Sequence, residues 1–295
     1  MNMKNNQLNQ FAVHLVFILT AVACLFPFLL LLVSSFTQEQ SLVRDGYSLF
    51  PSQLSLDAYQ YLWKQSASIG RSYGITILIT VVGTAVGLLI SSLLAYPLSR
   101  KDLPFKGFLS FAVFFTLLFN GGLVPTYLIY TEIFNIKDTL WALIIPLLLT
   151  NGFYILLIRT FFSNSIPVAI IESAYIDGAS EFKIFYQIVM PLSLPILATI
   201  GLMLGIGYWN DWFNGLIYIT DDKLYSLQNL LNRMLQNIQF LQQMNLGGRQ
   251  NSAGALPMNT VRMAMAVIGI VPIILAYPFF QKFFVKGLTI GAVKG

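Results

Sequence analysis

The segment ESAYIDGASEFKIFYQIVMP, residues 172–191, is a polar stretch between long apolar runs, and it decides how the chain is organised. The rest of the sequence is strongly apolar: 56% of the 295 residues are hydrophobic, only 10% are charged, and the mean hydropathy is +0.71. An average soluble domain has about 25% charged residues. We therefore predict an all-α integral membrane protein in which residues 172–191 lie outside the lipid.

Six apolar segments are long enough to cross a bilayer, which takes about 20 mostly apolar residues in a helix. They are residues 11–35, 72–99, 108–130, 139–160, 191–220 and 260–284. The first has the position of a secretory signal peptide, but its apolar run exceeds about 15 residues and no small-residue cleavage site follows. Because no repeat or low-complexity stretch divides the chain, residues 1–295 are predicted to form a single transmembrane domain.

Basic residues in the short connections predict the orientation, because cytoplasmic loops carry an excess of lysine and arginine. Arg100, Lys101 and Lys106 lie between the second and third spans, whereas Lys137 is the only basic residue between the third and fourth. We therefore predict that the second connection and both termini are cytoplasmic. The remaining segments follow from this choice: a cytoplasmic loop 161–190, external segments 36–71 and 221–259, and a cytoplasmic tail 285–295.

Two short helices joined by a tight turn are predicted in and just before the polar stretch. Ser165 and Pro167 indicate a helix start, since a hydroxyl caps free amide groups and proline needs no donor there. The helix is expected to end near Ile176, because Gly178 adopts a left-handed turn without penalty. We call these two helices and their turn, within the predicted loop 161–190, the elbow.

Helical spacing places Val168, Ile171 and Tyr175 on one face of the first short helix, which leaves another face for a protein partner. Ser180 is predicted to cap the second short helix, and Glu181 is favourable near the positive end of that helix. The elbow is therefore predicted to face the cytoplasm as a helix-turn-helix.

Residues suited to catalysis or metal binding are scarce in this sequence. His14 is the only histidine, Cys24 is the only cysteine, and no spacing of His, Cys, Asp and Glu fits a metal site. No glycine-rich phosphate loop ends in Lys-Ser or Lys-Thr, and the basic residues flank apolar spans instead of forming a nucleic-acid stripe. We predict a chain that is not an enzyme, binds no metal or cofactor, and draws its energy from another chain.

The spacing of the polar stretch resembles the loop signature of permease subunits of ATP-binding-cassette (ABC) importers. That signature is Glu-Ala-Ala, three residues, Gly, nine residues, Ile, one residue, Leu-Pro. The matching positions here are Glu172, Ser173, Ala174, Gly178, Ile188, Met190 and Pro191. Ser173 and Met190 depart from the signature, but both are mild changes in size. The alternative is an ordinary amphipathic connecting loop.

The resemblance extends over nearly the whole chain and is strongest to the maltose-permease-like class, in particular to oligosaccharide and complex-glycan permeases of Gram-positive bacteria. The stretches that carry it include FNGGLVPTYLIY at 119–130, YWNDWFNGLIYI at 208–219 and the C-terminal segment from 257 onward. It implies a bacterial cell-membrane protein that pairs with a second, homologous permease. It also implies two ATPase subunits that hold ATP and Mg²⁺, an extracytoplasmic solute-binding protein, and an oligosaccharide substrate.

By the same resemblance, the elbow inserts into an ATPase and transmits ATP-driven closure to the spans. The implied coupling residues are Glu172, Ser173, Ala174, Asp177, Gly178 and Ala179. The tail would reach between the ATPases through Lys286, Gly287 and Lys294. The tail's other interpretation is a positive-inside anchor.

The external segment 221–259 contains leucine, methionine and isoleucine residues at helical spacing, so we predict an amphipathic helix over 226–244. It would pack on the external mouth or on the partner permease. The resemblance also implies that the glycine-rich loop after it, with Gly247, Gly248, Gly254 and Pro257, contacts the binding protein.

Aromatic and amide side chains near 210 suit a sugar, because rings stack on sugar C–H faces and amides bind hydroxyls. The candidate path residues are Tyr208, Trp209, Asn210, Asp211, Trp212 and Asn214, with Asn120, Tyr127 and Asn151 further behind. An interfacial aromatic belt is the competing interpretation.

Three alternative functions remain open from the sequence. A permease for a non-sugar solute has the same architecture, and a structural scaffold needs no transport residues. An ion-coupled secondary transporter would need ionisable groups within its spans. The spans contain few: His14 lies near the entrance of the first, and Asp211 and Arg262 lie toward the outer ends of theirs.

Overall fold

The computed structural model describes residues 3–146, 149–246 and 257–292. Within these ranges the regular structure is helical, apart from an isolated antiparallel bridge between Thr37 and Leu54. The chain divides into two compact units, the first formed by residues 1–67 and 233–272 and the second by residues 68–232 and 273–295.

The helices are numbered in chain order. They are α1 Met3–Ser35, α2 Glu39–Asp45, α3 Asp57–Lys64, α4 Ser66–Ser99, α5 Lys106–Leu118, α6 Leu123–Leu128, α7 Trp141–Ile144, α8 Gly152–Ser165, α9 Val168–Ile176, α10 Glu181–Ile184, α11 Met190–Leu192, α12 Leu194–Asn210, α13 Phe213–Tyr218, α14 Leu227–Leu246 and α15 Met258–Ala292. Shorter π-helical turns follow α6 and α10, at Ile129–Ile133 and Phe185–Val189, and a 3₁₀ turn occupies Asp222–Leu224.

Three stretches are single helices that are long and apolar enough to cross a membrane, namely Gln10–Ser35, Ser66–Ser99 and Met258–Ala276. Three further stretches pass the same test as bent pairs: Lys106–Leu118 with Leu123–Ile133 at 111°, Gly152–Ser165 with Val168–Ile176 at 78°, and Glu181–Leu192 with Leu194–Asn210 at 80°. The all-α prediction is confirmed, and the chain reaches six spans when each bent pair counts as one.

The predicted segment 108–130 is not one straight helix. It breaks at residues 119–122, where Gly122 has a φ of +87° and the Asn120 side chain accepts a hydrogen bond of 2.8 Å from the Gly122 amide. Such a positive φ favours glycine and cannot continue an α-helix. The apolar composition of this segment therefore conceals a sharp turn.

Two other predicted segments and the tail also differ from the structure. Segment 139–160 contains only the single turn α7 before α8 begins at Gly152, with Asn151 capping that helix through a 2.9 Å bond from the Phe153 amide. Segment 191–220 is interrupted between α12 and α13. The segment predicted to be a tail from residue 285 is instead part of α15, which continues to Ala292. By contrast, the predicted amphipathic helix is confirmed as α14.

Glycines bring α4 and α12 into close contact in the second unit. A Cβ atom added to Gly83 would overlap the Tyr208 ring, and one added to Gly201 would lie 3.1 Å from Leu88. Tyr208 is fully buried, and its hydroxyl donates a 2.9 Å hydrogen bond to the Ile144 carbonyl. Small residues allow helix backbones to approach closely in membranes, where the hydrophobic effect adds little between helices.

In the first unit, Glu39 ties the segment after α1 to the start of α15. Its carboxylate accepts hydrogen bonds from the backbone amides of Asn259, at 3.0 Å, and Thr260, at 2.9 Å. The side chains of the same two residues also donate to it. These bonds satisfy free amides at a helix N-terminus, where a negative charge is favoured.

Asp138 connects two segments of the second unit that lie far apart in sequence. The Thr220 hydroxyl donates to its carboxylate at 2.6 Å, and the backbone amides of Thr220 and Asp221 donate to the same group. These hydrogen bonds, led by the one from the Thr220 side chain, lower the pKa of Asp138 below its ordinary value of 3.8.

Asp138→Asn is therefore expected to destabilise the protein at neutral pH. Asparagine tolerates the left-handed φ of 53° found here, so the substitution tests mainly the charge. A lowered folded-state pKa gives stability that is present above the unfolded-state pKa and lost as the pH falls through the folded-state value. We expect a loss of about 1 kcal/mol at pH 7, small because the group is partly exposed, that shrinks toward pH 3.

Thermal unfolding of the purified protein, followed by tryptophan fluorescence at pH 7 and at successively lower pH, measures this difference. Asp222→Asn is the matched control, because Asp222 is exposed two residues beyond Thr220. Equal unfolding temperatures for Asp138→Asn and the wild type at pH 7 would contradict the prediction.

Candidate functional site

The first elbow helix, α9, begins after a proline-induced bend. Pro167 is its N-cap with a φ of −63°, and Ile166 before it is extended, as expected for a residue that precedes proline. The prediction that Ser165 caps this helix is wrong. Ser165 is the last residue of α8, which extends further than expected and leaves that hydroxyl in the preceding helix.

The buried face of α9 differs from the predicted one. Ile171 and Ala174 are buried and join the core formed with α4, α8, α10 and α12, whereas Val168 and Tyr175 are exposed. Ile171 and Ala174 are three residues apart, so they share a face that lies beside the one predicted. Ala174 thus packs within its own chain.

The turn after α9 agrees with the prediction. Gly178 has a φ of +75°, its amide donates to the Tyr175 carbonyl at 2.9 Å, and the Ala179 amide donates to the Ala174 carbonyl at 2.9 Å. This pair of bonds is a Schellman motif, which satisfies helix-end carbonyls when a glycine adopts the left-handed conformation. The elbow turn is therefore closed by the chain's own backbone.

The second elbow helix is capped as predicted. The Ser180 hydroxyl accepts a hydrogen bond of 3.4 Å from the Lys183 amide, and Glu181 occupies the first turn. The helix then passes through the π-helical turn into α11 and, after the 80° bend, into α12. The elbow is thus continuous with the fifth span.

The turn of the elbow presents an apolar tip with acidic neighbours. Ile176 is 87% exposed at the end of α9, and Glu172, Ser173 and Asp177 are exposed around it. Ala179 is half-buried. Isolated exposed side chains are common, but a large aliphatic residue at the tip of a rigid turn is suited to a protein contact. Sequence reasoning overlooked Ile176, although its place before the glycine turn was visible.

A polar network connects the elbow to the C-terminal end of α4. The Tyr96 hydroxyl donates a 2.5 Å hydrogen bond to Glu181, and the Tyr175 hydroxyl donates to the other oxygen of the same carboxylate. Arg100 donates to the Tyr175 hydroxyl at 3.2 Å and lies over that ring at 5.4 Å. It also pairs with Asp102 at 3.5 Å. We call Tyr96, Arg100, Tyr175 and Glu181 the elbow network.

A cavity of about 390 Å³ lies beside the elbow network. Most of its lining is apolar or aromatic, with Arg100, Asp102 and Glu181 as the charged members. The network was not predictable from the sequence, because Tyr96 and Glu181 are 85 residues apart and no local pattern connects them. The cavity beside it was not predictable either.

The candidate path residues near 210 surround the break between α12 and α13. Asp211 accepts hydrogen bonds from the amides of Phe213, at 3.1 Å, and Asn214, at 3.2 Å, and so caps α13. The buried Asn214 side chain donates to the Pro146 carbonyl at 3.1 Å. Asn210 and Trp212 are exposed, while Trp209 is half-buried with its ring 6.3 Å from that of Tyr73. With the buried Tyr208, these six residues lie on one continuous stretch of chain.

The more distant path candidates have local structural contacts. Asn120 and Asn151 accept the backbone bonds described above at the breaks before α6 and α8. The Tyr127 ring stacks on that of Tyr218 at 5.8 Å.

Several predicted features lie at or beyond the edge of the described residues. Lys286 and Gly287 belong to α15, while Lys294 and the loop glycines Gly247, Gly248 and Gly254 lie outside the described ranges. Among the described residues, no three His, Cys, Asp or Glu side chains are grouped to hold a metal ion.

Residues 87–290 match the family of binding-protein-dependent transport system inner membrane components. This match covers more than half of the chain and includes the elbow, the bent spans and most of α15. The chain belongs to this family, and the resemblance inferred from the elbow signature is confirmed.

Individual relatives match over nearly their full length. The polygalacturonan/rhamnogalacturonan transport system permease protein YtcP of Bacillus subtilis is 37% identical over 98% of this chain and 99% of its own. The protein LplC of the same organism is 40% identical over 91% of this chain and 89% of its own. A crystal structure of a bacterial ABC transporter involved in import of the acidic polysaccharide alginate contains a chain with a TM-score of 0.81. That chain is 25% identical, and the match covers 96% of this chain and 99% of that one.

Proposed function

We propose that this chain is one permease of an ATP-driven importer and that its elbow couples an ATPase to the spans. The observation that carries this proposal is the exposed Ile176 on a turn closed by its own backbone, with Glu172 and Asp177 beside it. A rigid convex element of this kind transmits force without carrying out chemistry. The signature spacing that suggested the coupling role falls on this element.

Each coupling residue has a role that fits its position. Glu172, Ser173 and Asp177 contact the ATPase through polar groups, and Gly178 fixes the angle between the two elbow helices. Ala179, which is half-buried, allows close approach of the ATPase backbone. Ala174 packs in the chain's own core and thereby holds α9 in position for this contact.

The family supports the general composition of the assembly, which we infer to be a second homologous permease, two ATPase subunits and an extracytoplasmic binding protein. In this assembly ATP and Mg²⁺ bind to the ATPases, and this chain does not itself hydrolyse ATP. We propose that both termini are cytoplasmic, on the basis of Arg100, Lys101 and Lys106 in the second connection. Lys286 and Gly287 near the end of α15 then approach the ATPases, and we propose the same for Lys294 in the segment that follows.

We propose that the substrate is an oligosaccharide or glycan, because several relatives that match over nearly the full chain are named for carbohydrate transport. Trp209, Asn210 and Trp212 provide ring and amide contacts for it. Tyr208, which is buried where α4 and α12 meet, then holds this stretch of chain in position.

The test is to purify the tagged chain from its host membrane and reconstitute the complex with its binding protein. We expect a second permease and an ATPase to co-purify, and ATP hydrolysis to rise with oligogalacturonides, arabino-oligosaccharides or alginate oligosaccharides. Amino acids and short peptides are the non-sugar controls. Stimulation by these alone would replace the carbohydrate proposal with a non-sugar permease, and the absence of an ATPase would overturn the coupling proposal.

Glu172→Lys is expected to weaken the association of the ATPase with the permease by about tenfold or more, because a reversed charge at an interface adds repulsion and desolvation. Salt-dependent co-purification and the ATPase-to-permease ratio measure the effect. Glu132→Lys, the same change at an exposed glutamate in the π-helical turn Ile129–Ile133, is the control and is expected to assemble normally. Equal ATPase retention by both variants would contradict the role of Glu172.

A further inference from the structure

We propose that Glu181 is a positioning residue that fastens the elbow to the end of α4, so that these two elements move as one body during transport. This inference rests on the proposed coupling function and specifies the span to which the elbow first passes its movement. The feature that carries it is the elbow network, in which one carboxylate accepts hydrogen bonds from two tyrosines on different elements.

The two oxygens of Glu181 have separate partners. Tyr175 belongs to α9, so its bond to Glu181 holds the two elbow helices together across the Gly178 turn. Tyr96 belongs to α4, so its bond joins the elbow to the second span. A charged acceptor makes both bonds stronger than bonds between neutral groups. Loss of the charge or of one acceptor oxygen would therefore loosen both junctions together.

Arg100 adds a second connection between the same elements. It donates to the Tyr175 hydroxyl and lies over the Tyr175 ring, while its own backbone directly follows α4. The elbow is therefore attached to the end of α4 at both α9 and α10. With two separate attachments, the elbow cannot rotate about either one relative to α4. A movement of the elbow is therefore transmitted to α4.

The cavity beside the network explains why polar bonds are needed at this junction. Tyr96, Arg100 and Glu181 all border the open volume of about 390 Å³, so apolar packing on that side is incomplete. Phe185, which also borders the cavity, contacts the Tyr96 ring, with the ring centroids 5.3 Å apart. The ring of Tyr96 is thus held by packing, and its hydroxyl supplies the link to Glu181.

From the end of α4, the movement has a packed route to the fifth span. The Gly83 contact with Tyr208 and the Gly201 contact with Leu88 join α4 to α12 with little free space. The elbow is also continuous with α12 along the chain, through the bend of 80°. Movement of the elbow therefore reaches α12 both along the chain and across the helix contact, and Glu181 controls the second route.

The experiment measures the distance between the elbow and the end of α4 in the assembled complex. Spin labels are attached to Lys101→Cys and Lys183→Cys, both exposed positions, in a Cys24→Ser background. Distances are recorded by pulsed electron resonance in liposomes, before and after trapping with ATP and vanadate. In the otherwise wild-type chain we expect one narrow distribution that is unchanged by trapping.

Glu181→Gln is expected to broaden this distribution and to make it shift by about 2 Å or more on trapping, because helices that are no longer fastened slide by such amounts. Glutamine retains one acceptor oxygen and presents a donor amide to the other tyrosine hydroxyl. Tyr96→Phe removes only the bond between Glu181 and α4 and retains the ring contact with Phe185, so it should reproduce the shift. Glu132→Gln, at an exposed site in the π-helical turn Ile129–Ile133, is expected to behave as the wild type.

An unchanged, narrow distribution in both Glu181→Gln and Tyr96→Phe would overturn the inference. If Glu181→Gln lowers the yield or thermal stability of the complex, Tyr96→Phe decides the outcome alone. A wild-type preparation that lacks the ATPase would instead overturn the coupling function on which this inference depends. A purely structural role would lower stability in both variants without making the distance respond to ATP.

Discussion

Gly178→Val is expected to abolish the stimulation of ATP hydrolysis by substrate and binding protein, with a loss of about tenfold or more. The φ of +75° at this position costs a residue with a Cβ atom about 1–2 kcal/mol, and a β-branched side chain avoids this region most strongly. The chain can relieve the strain by giving up the two backbone bonds of the Schellman motif. The direction of α10 relative to α9 then changes, and the elbow no longer fits its partner.

The measurement is ATP hydrolysis by the reconstituted complex, together with the amount of ATPase that co-purifies. Gly46→Val is the matched control, since Gly46 has a similar φ of +79° and open space around it, but lies after α2 and outside the elbow. It should lose some stability and keep its stimulated ATP hydrolysis. A Gly178→Val complex that keeps both its ATPase and its stimulated rate would rule out the elbow as the coupling element.

Gly83→Val is expected to cause the largest loss of stability of any single change considered for this chain. A side chain at position 83 would overlap the ring of the fully buried Tyr208, which is also held by its hydrogen bond to the Ile144 carbonyl. Overpacking of this kind costs about 1–3 kcal/mol, and loss of the hydroxyl's partner adds about 1 kcal/mol. The protein should unfold at least about 5 °C lower than the wild type.

Thermal unfolding and the yield of monodisperse protein in detergent measure this effect. Gly74→Val on the same helix is the control, because no atom lies within 4 Å of a Cβ atom at that position. The two variants share the same change in residue type and helix propensity, so their difference isolates the contact with Tyr208. Equal unfolding temperatures would mean that α4 and α12 do not pack as described.

The elbow turn was predictable because its signals are local. A glycine after a short helical pattern and a serine before the next one specify Gly178 and Ser180 from adjacent residues alone. The buried face of α9 was predicted less well, since helical spacing allows several apolar faces and only packing against the other helices selects Ile171 and Ala174. Local rules therefore located the site but did not give its orientation.

The breaks in the spans were concealed by their composition. Residues 119–122 and the Asp211–Trp212 junction lie within apolar stretches, and hydropathy averaged over a window does not distinguish a straight helix from a bent one. The FNGG sequence and the capping amides of Asn120 and Asn151 indicated the breaks, but these residues were considered as possible sugar contacts. The elbow network was beyond prediction from one sequence, because it joins residues that only the fold brings together.

The Schellman closure of the elbow also affects the thermodynamics of docking. Because the Gly178 and Ala179 amides already have backbone partners, this turn is ordered before any other subunit arrives. Association then loses little backbone entropy at the contact, and the binding free energy is available for affinity instead of for folding a loop. In the proposed coupling role, the elbow binds in a preorganised conformation, so its affinity for the ATPase depends on how well the two surfaces match.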